Sequence, residues 1–118
     1  MMHFFVRLFG SEFEPKVLDG FVTEELLSIV SPGMKARNGK QLDYGVCVFR
    51  VESISHAARL IRKINKLPSR GEIESIVLEL NYEYEAQCNI EFDPGEIALI
   101  HSMGASLAIS CYRDSLEA

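Results

Sequence analysis

The chain reads as an α+β domain. The expected architecture is an antiparallel sheet of four to five strands with helices packed on one face, its core a ferredoxin-like β-α-β-β-α-β order preceded by a β-α unit. Three observations point there. Segments of period-two alternation are interleaved with segments of helical spacing along the chain. Residues 76–92 alternate without a slip: Ile76, Leu78, Leu80, Tyr82, Tyr84, Ala86, Cys88, Ile90 and Phe92 against a largely acidic and amide odd series. Finally, 118 residues with 47% hydrophobic and 25% charged content is the mixture of one ordinary globular domain.

Taken in order, residues 2–9 form a strand, with Phe4, Val6 and Leu8 alternating against His3, Phe5, Arg7 and Phe9. Pro15 suits the first turn of a helix carrying Leu18, Phe21, Val22, Leu26 and Ile29. Gly20 weakens that helix and can split it, with Thr23 restarting the second piece. Ser31-Pro32-Gly33 stops it. Residues 34–41 are a polar loop around the turn pair Asn38-Gly39, and residues 42–51 are a second strand. Ser53 or Ser55 caps a helix whose apolar face is Ile54, Ala57, Leu60, Ile61 and Ile64, ended by Leu67-Pro68.

The long alternation at 76–92 has two solutions. A two-residue turn would pair residues of opposite parity and is excluded. What survives is one long, bent strand, or a hairpin with the loop Glu85-Ala86-Gln87 pairing Tyr84 with Cys88; the lack of Gly in that loop favours a strand broken by a bulge or irregular loop. The hairpin would complete the ferredoxin-like order. Asp93-Pro94 then opens a helix, with Glu96 positioned for a capping box, Ile97, Ile100 and Met103 as its apolar face, and Gly104 closing it. Residues 106–112 alternate as the last strand.

Several functions are excluded or left without support. No stretch approaches the roughly 20 apolar residues of a membrane span, and residues 1–10 lack the pattern of a signal peptide. Cys47, Cys88 and Cys111 form no CxxC pair and sit in strand patterns, as buried reduced thiols of a cytoplasmic protein do. His3, His56 and His101 lie in separate elements without metal-ligand spacing, no glycine-rich phosphate loop or GxSxG occurs, and the acid pairs such as Glu24-Glu25 read as solvated. The expectation is therefore a non-enzyme, with no catalytic residue, metal or cofactor.

Two surfaces stand out instead. If Val6 and Leu80 face the helices, the other side of the sheet gathers Phe5, Arg7, Phe9, Tyr44, Arg50, Glu83 and Tyr112, too aromatic for an inert solvated face. Glu79 and Glu83 are placed to pair across strands with Arg7 or Arg50. The second surface is basic. Formal net charge is −5, but residues 34–70 hold nine basic and two acidic side chains, so they carry +7 and the remainder −12. Within that block Arg59, Arg62, Lys63 and Lys66 follow helical spacing on the solvent side, either a solvated face or a dock for an acidic protein, a phosphate or RNA. The overall acidity and the lack of interleaved aromatics speak against nucleic acid.

The stretches Gln87-Cys88-Asn89-Ile90-Glu91-Phe92-Asp93-Pro94-Gly95-Glu96 and Ser102-Met103-Gly104-Ala105-Ser106-Leu107-Ala108-Ile109-Ser110-Cys111-Tyr112 resemble the end of a bacterial domain family of unknown function. The step from Gly10 to Pro15 and the Gly39 before the second strand resemble it as well; the tryptophan frequent in that family's second strand is missing here. The resemblance implies a small cytosolic α+β protein, in some members a toxin-immunity partner, and no catalytic residue. The function expected is an interaction module that binds a protein partner or a second copy as a homodimer, away from membranes, with neutralisation of a partner, as in immunity proteins, one form of it. The alternative is a regulator or enzyme taking an anionic small molecule at the sheet edge through Arg7, Arg50 or Tyr112.

Overall fold

A computed structural model describes residues 1–86 and 89–113. Its centre is β1, Met2–Gly10, which pairs antiparallel on one side with β3, Gly45–Val51, and on the other with β4, Ser75–Tyr84. Outside these lie β2, Leu26–Val30, antiparallel to β3, and β5, Ser106–Arg113, parallel to β4. The order across the sheet is β2-β3-β1-β4-β5. Two helices, α1 at Ile54–Asn65 and α2 at Pro94–Ser102, and a 3-10 turn at Pro15–Leu18 complete the chain's main elements.

The α+β class holds, with two corrections to its detail. The sheet is mixed rather than wholly antiparallel, because β4 reaches β5 through α2, and a helical crossover between neighbouring strands leaves them parallel. The order β-α-β-β-α-β is not formed either. β4 ends at Tyr84 and residues 89–93 carry no strand, so among the described residues neither the favoured long strand to Phe92 nor the alternative hairpin forms; the hairpin's loop residue Gln87 and pairing residue Cys88 lie outside them. The ladders explain where β4 stops. Its register with β1 ends at Met2 opposite Tyr82, and its register with β5 ends at Tyr84 opposite Arg113. Alternation continues in the sequence, but among the described residues no ladder extends past that row.

The expected first helix is also replaced. Pro15–Leu18 makes one 3-10 turn, Gly20 takes φ +85, and the chain extends as β2 from Leu26. Helical spacing had joined residues that share no face: Leu18 is buried while Phe21 is 56% exposed. Strand pairing wins because β3 would otherwise present an open edge, and Leu26 and Ile29 meet Phe49 and Cys47 there. In the polar loop, by contrast, the Asn38-Gly39 turn forms as read, with Gly39 at φ +81 and its N–H donating to the Ala36 carbonyl at 2.9 Å.

The remaining local signals are realised in the helices. Ser53 caps α1 by accepting from the His56 N–H at 3.1 Å, and Ile54, Ala57, Leu60, Ile61 and Ile64 are all buried. They pack on the inward residues Val6, Leu8, Cys47, Phe49, Leu78 and Leu80. Asp93 and Glu96 make a reciprocal capping box at the start of α2. Of the face expected for α2, Met103 is buried, Ile100 is half-buried and Ile97 stays exposed; Leu99 takes the inward place instead. Both helices lie on one side of the sheet, so the molecule is a two-layer slab, 44 × 37 × 21 Å. Its radius of gyration, 15.9 Å, exceeds the roughly 13.5 Å of a rounder domain of this length.

Candidate functional site

The slab leaves the far side of the sheet uncovered by any described element. Period two decides what stands there. On β1 the inward series is Val6 and Leu8, so His3, Phe5, Arg7 and Phe9 face out. Register then sets the rows. Arg50, Phe5, Glu79 and Ala108 run across β3, β1, β4 and β5; Val48, Arg7, Val77 and Ser106 form the next row; Val46, Phe9 and Ser75 the one after.

Contacts within these rows tie the face together. Arg7 Nη1 lies 2.7 Å from Glu79 Oε1, the cross-strand pairing expected of one of the two glutamates. The Arg50 guanidinium sits 5.9 Å from the centre of the Phe5 ring, within cation–π range. Its Nε is 3.5 Å from Glu25 Oε2, and its backbone N–H donates to the Glu25 carbonyl. Phe9 and Tyr44 meet at 5.7 Å between ring centres. Exposed ion pairs of this kind contribute about 0–1 kcal/mol, so they orient the two arginines more than they hold the fold. Half-buried Val46, Val48, Val77 and Ala108 fill the spaces between.

Phe5, Arg7, Phe9, Tyr44 and Arg50 thus form one continuous patch over β1 and β3. Glu83 and Tyr112 share the face but lie beyond Glu79 at its far corner, opposite each other in the β4–β5 register. The basic quartet is elsewhere altogether. Arg59, Arg62, Lys63 and Lys66 are exposed on α1, in the other layer. Lys63 turns to Glu24 at 3.8 Å, and Arg62 borders an 80 Å³ cavity between α1 and the end of α2.

Glu24 is the residue that sequence reasoning misplaced. Neighbours in an extended segment point to opposite sides, so Glu25 joins Arg50 on the open face while Glu24 turns under the sheet. Its side chain is 8% exposed, with His56 Nε2 at 3.6 Å from Oε2, and Oε1 accepts no hydrogen bond among the described residues. The His56 Nδ1 accepts from the Glu52 N–H at 3.1 Å, which places the ring proton on Nε2, toward Glu24. Glu24 also borders a 60 Å³ cavity with Asp19, Leu18, Val22 and Cys47. Burial pushes the Cys47 thiol up to about 12, so it stays protonated and unreactive at neutral pH. Cys111, expected to be buried, is exposed because β5 is an edge strand.

No family model, curated protein or solved structure matches the chain. Among the described residues no three His, Cys, Asp or Glu side chains gather as a metal-binding group, and no helix is long and apolar enough to cross a membrane. Neither of the two cavities above is lined by Arg7, Arg50 or Tyr112.

Proposed function

We propose that this chain is a protein-interaction module whose contact surface is the uncovered face of the sheet, centred on Phe5, Phe9, Tyr44 and Arg50. One observation carries this reading: an aromatic and aliphatic patch, with ion-paired arginines set among its rings, lies on a sheet face that no described element covers. Aromatic residues and arginine are the groups enriched where proteins dock, and a central patch inside a polar margin is how such surfaces are built. Neutralisation of a partner, as the resemblance to immunity-type proteins implies, is one form this binding can take, in a cytoplasmic setting. The anionic-ligand alternative has less behind it, since Arg7 and Arg50 already face carboxylates and stand in the middle of a flat sheet rather than at its edge.

The test is affinity capture with the wild-type chain and three variants, each checked for folding by circular dichroism. Phe5→Ser and Arg50→Glu should weaken capture of the partner at least tenfold. Arg59→Glu/Arg62→Glu should leave it intact. The opposite pattern, loss on changing α1 and no effect on the sheet face, would move the site to the basic helix and overturn the proposal.

A further inference from the structure

The two edges of the sheet end differently. β2 is five residues long, and its register with β3 slips between Leu26 and Ser28. A short, bulged edge resists pairing with another chain. β5 has none of these protections. It runs eight residues in unbroken register with β4, and from Ser106 to Tyr112 it contains no charge and no proline. No described strand flanks its outer side.

The same border is apolar on the helix side. Leu107 is 39% and Ile109 44% exposed, and Ile97 of α2 is 56% exposed. A surface helix ordinarily turns a polar stripe to water. In α2 the only acidic or basic side chains are Glu96, spent in the cap, and His101 in the last turn, and its middle reads Ile97-Ala98-Leu99-Ile100. Leu99 and Ile100 pack against the core, which leaves Ile97 outward with nothing described to cover it.

We infer that the chain forms a two-fold homodimer by antiparallel pairing of β5 with β5 of a second copy, making one ten-stranded sheet. The strand is self-complementary in that arrangement. Centred on Ile109, each Leu107 faces Cys111 of the other copy on the helix side, Ala108 faces Ser110 on the open side, and no two like charges meet along the paired run. A two-fold contact of this kind closes at two copies and does not propagate. Area supports the same occupant. At roughly 200 Å² for a large side chain, the exposed parts of Leu107, Ile109 and Tyr112 amount to about 250 Å² per copy. Seven paired backbone positions add to this, toward the roughly 800 Å² per partner of a stable interface. The inference does not depend on the open face binding anything, although joining the copies would extend that face into one continuous surface.

Sedimentation velocity of the full chain should show twice the 13.3 kDa of one copy. Ile109→Lys sets two charges against each other at the axis and should raise the dissociation constant at least tenfold. Leu107→Cys supplies a thiol opposite Cys111 of the second copy, within disulfide reach for directly paired strand residues. Mild oxidation should then trap a covalent dimer, whereas Phe21→Cys should not give one. A monomeric wild type, or no faster cross-linking by Leu107→Cys than by Phe21→Cys, would overturn the inference while leaving the open-face reading standing. A dimer that survives Ile109→Lys and is lost on Phe5→Ser would overturn it too, by placing the second copy on the open face.

Discussion

Cys47 and Glu24 show how much one side chain's surroundings matter in a sheet this thin. Both face the helices, and both border the same small cavity. Cys47 holds its proton to about 12 because burial disfavours the thiolate. Its folded value lies above the ordinary 9.0, so the stability it contributes is complete below 9.0 and declines as pH rises toward 12. Titration of unfolding free energy across that window should fall less steeply in Cys47→Ala than in the wild type. At pH 8 a maleimide should label Cys47 only as fast as the chain unfolds, which peptide mapping of the Cys47 peptide would read. Glu24 raises a different issue, a buried carboxylate with distant partners. Lys63→Met removes one of them and should cost about 1–3 kcal/mol in chemical denaturation. Glu24→Met combined with Lys63→Met should recover most of that loss. Equal destabilisation by the single and double variants would show that Lys63 acts through packing and not through charge.

At the scale of elements, local signals succeed where the chain closes its own hydrogen bonds. The ends of α1 and α2 are of this type, and Asp93→Ala should lower stability by about 1 kcal/mol, most visibly as fraying of α2 in amide hydrogen exchange. Unchanged exchange in α2 would mean that packing of Met103 and Leu99 holds the helix without its cap. Strands are another matter. Helical spacing runs over residues 18–29, yet from Leu26 on the chain forms β2, because the backbone of β3 needs a partner on that side. Period two runs on to Phe92, yet β4 ends at Tyr84, the last row in which described residues flank it. A close approach of backbones adds a constraint that no pattern reveals: a Cβ on Gly45 would run into the Phe13 carbonyl oxygen, so β3 can begin under the loop before Pro15 only with glycine there.

For the whole molecule, the charge pattern changes meaning once folded. The +7 segment of the sequence is not one surface, since Arg50 stands on the open face, Lys35, Arg37 and Lys40 surround the Gly39 turn, and the α1 quartet lies in the other layer. What the fold concentrates is apolar surface, on the uncovered face and along β5. The sequence by itself determined which residues share a face: Phe5, Arg7 and Phe9 opposite Val6 and Leu8, and Glu79 opposite Leu78 and Leu80. It also marked α1, with its cap open between Ser53 and Ser55, and the Asp93–Glu96 capping box of α2, because side-chain alternation and capping are short-range properties. Only the tertiary structure decided the strand order, the parallel β4–β5 pair, the length of β4, the burial of Glu24 and the exposure of Cys111. Each of these depends on which backbone lies alongside, and a strand's own residues specify its faces but not its neighbours.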